Sequence, residues 1–502
     1  MDTLHTALTL LVTSPIAIAA VAGVAWGILG GALPGISPSI TMALILPLTY
    51  GMDPGSAVVL LAATYVGAEY GGSIPAILIN TPGTNAAAAT VLDGYALQQR
   101  GRGGEALGIS LYSGVIGGLV GVTMLVVLSG PLASIALAFT PMAYFALGVL
   151  GLSVIASLSG ESLLKGLCAG VLGLMIATVG SDPVSGAPRF TLGRPELLDG
   201  IAPILVMVGL FAVCELYRQA GSPDRQHATG NAIRVSFPGA ALRRRLIRPQ
   251  IIGSTIGTIE GVMPGAGGTI ASFLSYNEAR RWSRKKDEFG EGSPEGVAAP
   301  ETANNAVAST ALVPVLSFGI PGSNSAAILL GGLLVHGLVP GPRLFEENGE
   351  VVTGLYAGLY VACGSLLIVG MLILPLCLWL VQRPKAYLLA FIYALILSGV
   401  YSIDNSLFDV GFVLAAGAAG LFMRFVGLPF LPAVLGVVLG YLMESNYRRS
   451  LVLSGGDHGI FIEDRIALGL LIVAGLFIGG SLIARLLSLL RRRGPLRENP
   501  NV

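Results

Sequence analysis

Residues 260–271 read Glu-Gly-Val-Met-Pro-Gly-Ala-Gly-Gly-Thr-Ile-Ala, and this stretch decides how we expect the chain to fold. It is rich in glycine, contains Pro264 and lies within an apolar region, so a helix should break there. A weaker copy lies near the N-terminus at residues 30–41, Gly-Gly-Ala-Leu-Pro-Gly-Ile-Ser-Pro-Ser-Ile-Thr. Each half of the chain is therefore predicted to contain an interrupted helix.

The composition is that of a membrane protein. The chain has 502 residues, of which 53% are hydrophobic and 11% are charged, and its mean hydropathy is +0.78. A soluble domain would carry about 25% charged residues. Apolar segments of roughly 18 to 26 residues recur along the chain, and about 20 residues suffice to cross a bilayer. We therefore expect an all-α polytopic membrane protein.

Several other functions find no support in the residues. The sequence contains no P-loop, so we expect no ATP hydrolysis by this chain. The cysteines lie in apolar segments without metal-ligand spacing and are predicted to be packed thiols. They are Cys168, Cys214, Cys363 and Cys377. No cofactor and no resident metal are predicted, and a bound Na⁺ would be a coupling ion.

Positive charge on short loops predicts which ends face the cytoplasm. Residues 218–248 carry the densest arginine cluster and residues 491–493 are all arginine, so both are placed in the cytoplasm. The N-terminal residues and the loop at 51–55 lack Lys and Arg and are placed on the outer side of the membrane. Arg448, Arg449 and Arg465 are exceptions, because they fall on a loop that this scheme places outside.

The charge pattern also predicts how the chain is divided. The arms of the hairpin at 250–279 would each reach roughly 21 Å, short of the roughly 30 Å hydrocarbon core, so its tip should stop within the membrane. The predicted parts are a first repeat at 1–217 (hairpin 8–50, broken helix 56–98, spans 105–216), a basic cytoplasmic linker at 218–249, a second repeat at 250–445 (hairpin 250–279, broken helix 297–339, spans 352–443), and a final span with a cytoplasmic tail at 446–502.

The two halves share motifs in the same order. Pro34-Gly35 recurs as Pro264-Gly265, an offset of 230 (264 − 34). Pro82 recurs as Pro321 at an offset of 239 (321 − 82), within the similar stretches 74–87 and 313–326. Because the two hairpins are predicted to enter from opposite sides, the pattern predicts inverted repeats with re-entrant or broken helices. In secondary transporters such paired interruptions lie at the binding site.

A broken helix suits the binding of a carboxylate and a cation. The second half-helix begins with unpaired N–H groups that attract anions, and the first ends in carbonyls that can hold Na⁺. The alternative is that Pro-Gly pairs only kink helices for packing. The candidate solute- or ion-binding residues are Pro34, Gly35, Ser37, Thr41, Thr81, Pro82, Gly83, Thr84, Asn85, Pro264, Gly265, Gly267, Gly268, Thr269, Pro321, Gly322, Ser323 and Asn324.

Acidic residues within apolar segments are costly and are therefore candidates for ion coupling. Glu69, Glu260 and Glu301 are the main candidates, and Asp93 and His336 are weaker ones. The alternative for each residue is an interfacial position or a structural hydrogen bond.

Several motifs resemble those of the large membrane subunit of tripartite tricarboxylate transporters. The resembling stretches are 31–38, 70–78, 81–83, 261–271, 290–306 and 319–323. The resemblance implies a permease in the bacterial inner membrane that takes up di- or tricarboxylates by ion symport. It implies a periplasmic solute-binding protein and a small membrane subunit as partners, and no nucleic acid. By analogy with other hairpin transporters, an elevator-type motion is expected.

Two other functions stay open at this point. Broken helices also occur in ion-conducting channels, but acidic residues near paired breaks favour a closed binding site. An intramembrane enzyme would need a nucleophile or a catalytic pair within the spans. The cluster at 454–458, Ser-Gly-Gly-Asp-His, falls on a predicted loop, so no enzymatic activity is expected.

Overall fold

The computed structural model describes residues 2–158, 162–182, 186–221, 234–263, 267–381 and 383–492. Pro264 and Gly265, at the predicted tip of the second hairpin, lie outside the described residues.

Within the described residues the chain is helical apart from one pair of two-residue strands. The first helices are α1 (Asp2–Thr13), α2 (Ile16–Gly31), α3 (Pro38–Ile45), α4 (Pro54–Gly71), α5 (Ser73–Ile79), α6 (Ala88–Gln99), α7 (Gly103–Ala136), α8 (Pro141–Leu158), α9 (Leu163–Ala177), α10 (Pro203–Met207) and α11 (Cys214–Ala220). The later ones are α12 (Ala240–Val262), α13 (Gly267–Trp282), α14 (Pro294–Thr310), α15 (Leu312–Phe318), α16 (Asn324–Val335), α17 (Pro342–Glu347), α18 (Gly349–Val381), α19 (Lys385–Asp404), α20 (Leu407–Val426), α21 (Phe430–Leu453), α22 (Ile460–Glu463) and α23 (Arg465–Arg492).

Shorter elements complete the described chain. A π-helical stretch joins α10 to α11, so that Pro203–Ala220 forms one continuous span. Strand β1 (Gly180–Ser181) pairs antiparallel with β2 (Pro188–Arg189). The 3₁₀ turns are Leu46–Thr49, Pro195–Leu197 and Lys286–Glu288.

Six of the described helices are long and apolar enough to cross a membrane. They are Pro54–Ile79, Gly103–Ile135, Pro203–Ala220, Gly349–Leu380, Ala386–Asp404 and Leu407–Val426. A chain with this many spanning segments is a multi-pass membrane protein, which confirms the fold class expected from the composition.

The chain forms two compact units. The first comprises Met1–Ala138 and Ile201–Phe425, and the second comprises Phe139–Gly200 and Val426–Val502. Each unit combines segments from both halves of the sequence. Long-range packing therefore groups helices that are far apart along the chain.

Helices α4 and α14 form the centre of the first unit. Every residue of α14 is buried, and the most apolar part of Pro54–Ile79 is fully buried. Glycines on neighbouring helices allow this close packing. A Cβ atom at Gly27 of α2 would lie 2.3 Å from the Thr64 carbonyl oxygen of α4, and one at Gly257 of α12 would lie 2.4 Å from the Ala303 carbonyl oxygen of α14.

The first arm of the second hairpin is longer than predicted. Helix α12 begins at Ala240 rather than at residue 250 and continues to Val262, so it is about 34 Å long at 1.5 Å per residue. Residues 240–248 consist of alanine, leucine, isoleucine and arginine, most of which favour helix, so the helix extends into the basic segment.

The second unit is built from α8, α9, α21 and α23 and contains a network of charges. Arg189 of β2 pairs with Asp182 at 3.1 Å and with Glu444 of α21 at 2.6 Å. Arg448 pairs with the same two carboxylates at 2.9 and 2.8 Å. This network gives a structural reason for Arg448, one of the exceptions in the charge pattern.

Candidate functional site

The first hairpin turns between α2 and α3. Gly35 has φ +86°, a conformation that favours glycine, and the Ser37 hydroxyl accepts a hydrogen bond from the Ile40 N–H at the start of α3. The Gln219 side chain of α11 donates to the Gly35 carbonyl at 2.8 Å. The turn predicted from Pro34-Gly35 is therefore present and is held by a neighbouring helix.

Helices α5 and α15 both end in a left-handed residue. After α5 this residue is Asn80 (φ 56°), and after α15 it is Gly319 (φ 70°). The N–H of Thr81 donates to the carbonyl six residues earlier at 3.3 Å, and the N–H of Ile320 does the same at 3.3 Å. Such caps end a helix without leaving its carbonyls unpaired.

A hydroxyl then organises the turn into the following helix. The Thr84 hydroxyl accepts from the Ala87 N–H at 3.2 Å, and the Ser323 hydroxyl accepts from the Ala326 N–H at 3.1 Å. Asn85 and Asn324 follow these hydroxyls, and both side chains are exposed. Ser323 therefore caps the start of α16, Thr84 stabilises the turn before α6, and the two asparagines remain accessible to a ligand.

The breaks converge on the last turns of α4. A Cβ atom at Gly83 would lie 2.1 Å from the Gly31 carbonyl oxygen of the first hairpin and 2.8 Å from the Gly72 Cα. About two turns before Gly72, the Tyr65 side chain lies beside Ser323 and Ser325, at the start of α16. The C-terminal end of α4 therefore contacts the first hairpin and both downstream breaks.

The second hairpin reaches the same place through α14. The Asn304 amide nitrogen donates to Glu69 Oε2 of α4 at 3.0 Å, and Thr84 lies close to the same carboxylate. A Cβ atom at Gly268, in the first turn of α13, would lie 2.5 Å from Asn304 Oδ1 and 3.5 Å from the Ala86 Cβ. Glu69 and Asn304 thus connect elements from both halves of the chain.

Glu69 and Asn304 are both buried, and their hydrogen bonding is incomplete. Glu69 is 6% exposed and Asn304 is 1% exposed. Asn304 Oδ1 has no hydrogen-bond partner within the described chain. A buried acceptor without a donor is costly, so a donor supplied by a ligand or a proton would stabilise Asn304 Oδ1.

The sequence model of the Tripartite tricarboxylate transporter TctA family matches residues 17–435. The chain belongs to the TctA family. It is 39% identical over 456 residues, 90% of each chain, to an uncharacterized 52.8 kDa protein in the TAR-I ttuC' 3' region of Agrobacterium vitis. A second protein of that organism, in the TAR-II ttuC' 3' region, is 38% identical over 218 residues, covering 43% of this chain and 89% of its own. No solved structure matches the chain.

TctA-family membership confirms the resemblance drawn from the motifs. The family forms the large membrane component of tripartite tricarboxylate transporters. The chain is therefore a transporter subunit and not an enzyme. The tripartite system implies a solute-binding protein and a small membrane subunit as partners.

Glu301 has a different environment from Glu69 in this TctA-family chain. Its two carboxylate oxygens accept from the Thr90 and Ser110 hydroxyls, and the residue is 1% exposed. Glu260 is half-buried near the end of α12 and is not part of either arrangement. Glu69 is therefore the acidic candidate that lies where the breaks meet.

Other candidates serve the architecture. Thr41 is fully buried, its hydroxyl donates to the Ser37 carbonyl, and its carbonyl accepts from the Trp26 indole. His336 Nε2 lies 3.1 Å from the Thr49 hydroxyl. Among the remaining candidates, Gly267, Thr269 and Pro34 are half-buried. Pro321 and Gly322 are buried in the turn between α15 and α16.

Asn304 is the site residue that the candidate set omitted. It occurs in the 290–306 motif, but nothing in its immediate sequence pairs it with Glu69, 235 positions away. The available signal was the Asn304-Asn305 pair itself, because two adjacent amides in a wholly buried helix need specific partners.

Asp93 anchors the charged loop before α14. Its Oδ1 accepts from the backbone N–H groups of Gly290, Gly292 and Ser293 at 2.9, 2.8 and 2.7 Å. Hydrogen bonds from Lys285, on the same loop, and from Arg245 of α12 hold the pKa of Glu288 below its usual value. These contacts explain why the motif is rich in glycine: Gly290 and Gly292 have φ +86° and +99°.

Replacing Asp93 by alanine should destabilise this loop. The change leaves three backbone donors without their acceptor, and each unmet buried donor costs about 1–3 kcal/mol. We expect a lower thermal unfolding temperature in detergent and faster proteolysis within 284–293. The matched control is Asp287→Ala, an exposed acid on the same loop. Equal unfolding temperatures for the two variants would contradict the anchoring role.

Proposed function

We propose that this TctA-family chain is the permease that carries di- or tricarboxylates across the bacterial inner membrane by symport with Na⁺ or H⁺. A periplasmic solute-binding protein would deliver the solute, and a small membrane subunit would complete the transporter. The ion gradient, and not ATP, would drive accumulation.

The convergence of the breaks on Glu69 carries the proposal. Helices α13 and α16 begin beside Asn304 and Tyr65, so the N–H groups of their first turns lie close to the same part of α4. Helix starts attract carboxylates, and a buried acidic side chain nearby can take a cation. Solute and coupling ion would therefore bind next to each other.

Contacts repeated between the halves support the inverted-repeat organisation. The Gly27–Thr64 contact recurs as Gly257–Ala303, at the offsets 230 (257 − 27) and 239 (303 − 64) found in the motifs. The left-handed caps Asn80 and Gly319 also differ by 239. We propose repeats at 1–217 and 250–445, moving by an elevator-type mechanism, with residues 218–249 between them and 446–502 after them.

We also propose an orientation for the membrane. The N-terminus would lie in the periplasm and the C-terminus in the cytoplasm, as the charged loops favour. The exposed residues Arg280, Arg281, Arg284, Lys285 and Lys286 support this placement of the loop after α13. A cysteine introduced at Arg284 should react in inside-out vesicles and be protected in intact spheroplasts.

Transport by the reconstituted three-part system tests the function. We expect proteoliposomes to accumulate at least one labelled carboxylate from a panel of di- and tricarboxylates when a Na⁺ or H⁺ gradient is imposed. Counterflow against internal unlabelled solute should also occur without a gradient, which a channel does not show. Absence of both for every carboxylate, with the binding protein present, would exclude the proposal.

A further inference from the structure

Asn304 separates the Glu69 carboxylate from the start of α13. Its amide nitrogen donates to Glu69 Oε2 at 3.0 Å, while its Oδ1 faces Gly268 and lacks a partner in the described chain. An asparagine side chain has one donor group and one acceptor group. The group that faces Glu69 therefore determines which group faces α13.

An ionised Glu69 fixes the amide in the observed orientation. A carboxylate only accepts hydrogen bonds, so the Asn304 nitrogen must face it. The oxygen then lies against Gly268 in the first turn of α13, where the N–H groups of a helix start attract a solute carboxylate. Two acceptors facing each other repel, so this orientation disfavours the solute.

A proton on Glu69 reverses the preference. The protonated carboxyl gains an O–H that donates to Asn304 Oδ1, and the amide turns so that its nitrogen faces Gly268. That nitrogen then has no partner until a solute carboxylate arrives. Proton and solute together satisfy both groups of the amide, whereas either alone leaves one group unpaired.

We propose that the Asn304 amide is the coupling element of the transporter, turning when Glu69 takes a proton and thereby linking proton binding to carboxylate binding. The inference rests on the proposed function and specifies the ion. Linkage of this kind is reciprocal, so bound solute also favours protonation of Glu69. A proton fits the pair because the unpaired Asn304 Oδ1 needs one donor.

Other ionisable groups near Glu69 are already engaged. Glu301 of α14 is an acidic residue on a neighbouring helix whose charge would repel that of Glu69. Hydroxyl groups donate hydrogen bonds to both oxygens of Glu301. Tyr65 lies one turn away on α4, beside Ser323 and Ser325. Asn304 is therefore the group through which protonation of Glu69 can affect binding at the first turn of α13.

Counterflow in the complete three-part system tests the switch. The half-saturating solute concentration is measured from acidic to alkaline buffer without Na⁺, and then against Na⁺ at constant pH. For the wild type we expect it to fall by about tenfold or more on acidification, within the usual range of coupling. In Asn304→Ala the ratio of the half-saturating concentration in alkaline buffer to that in acidic buffer should be about one. Dependence on Na⁺ alone would overturn the proton switch.

Matched variants separate coupling from folding. Asn305→Ala removes the neighbouring buried amide of α14, which donates to the Glu301 carbonyl and faces α7, and should keep the wild-type ratio. Asn304→Asp keeps the shape but, when ionised, cannot donate, so it should bind solute poorly in alkaline buffer even if Asn304→Ala fails to fold. A wild-type ratio in Asn304→Ala, or a wild-type half-saturating concentration for Asn304→Asp in alkaline buffer, would overturn the switch. Absence of wild-type counterflow would instead overturn the proposed function.

Discussion

Replacing Glu69 by glutamine should preserve exchange and abolish accumulation. The glutamine side chain would be neutral at every pH, and its amide can donate to Asn304 Oδ1 as the protonated acid would. The site should therefore hold solute without regard to the gradient. We expect counterflow within about threefold of wild type and accumulation no greater than equilibrium, because a carrier without its coupling charge only equilibrates its solute.

Glu301→Gln is the matched control for this variant. Glu301 is equally buried in the same unit, but hydroxyls occupy both its oxygens. Folded Glu301→Gln protein should still accumulate solute up a gradient. Uphill accumulation by Glu69→Gln would exclude Glu69 as the coupling group, and loss of accumulation in Glu301→Gln alone would move the role to α14.

Replacing Gly83 by alanine should abolish transport. A methyl group there would lie 2.1 Å from the Gly31 carbonyl oxygen and 2.8 Å from the Gly72 Cα, and both neighbours are backbone atoms. The first hairpin and the break that contains Gly83 would have to separate. Overpacking usually costs about 1–3 kcal/mol, and here it also displaces Thr84 from Glu69. Uptake should fall by about a hundredfold.

The control for Gly83→Ala is Gly364→Ala on α18. Gly364 is exposed, and a Cβ atom there would meet no other group within 4 Å. Its uptake and its thermal unfolding temperature should match those of the wild type. Normal uptake by Gly83→Ala would show that the hairpin and the break need not touch during transport.

Much of the fold follows from local residue chemistry. Apolar length predicts spanning helices, and Pro-Gly pairs predict where helices stop, because proline lacks an N–H and glycine adopts positive φ. Gly35 has such an angle, whereas α5 and α15 end in left-handed residues, Asn80 and Gly319, just before their Pro-Gly pairs. The extent of α12 was harder to predict, since basic residues mark a loop by charge yet favour helix by propensity.

The candidate site was predicted only in part. Glu69, Thr84 and Gly268 were identified because each residue is unusual in its own surroundings. The paired arginines Arg189 and Arg448 show the limit of such reasoning, since their partners are supplied by distant segments. The residue type at one position does not indicate which distant side chain will pair with its charge.

For residues 260–271 and 30–41, the sequence by itself determined that helices break, because glycine and proline act on their own backbone. Only the tertiary structure decided that Gly268 lies against Asn304, and that Asn304 in turn lies against Glu69. That arrangement depends on the packing of α4 and α14 in one buried core. Side chains 235 positions apart meet through that packing, and no local propensity encodes such a meeting.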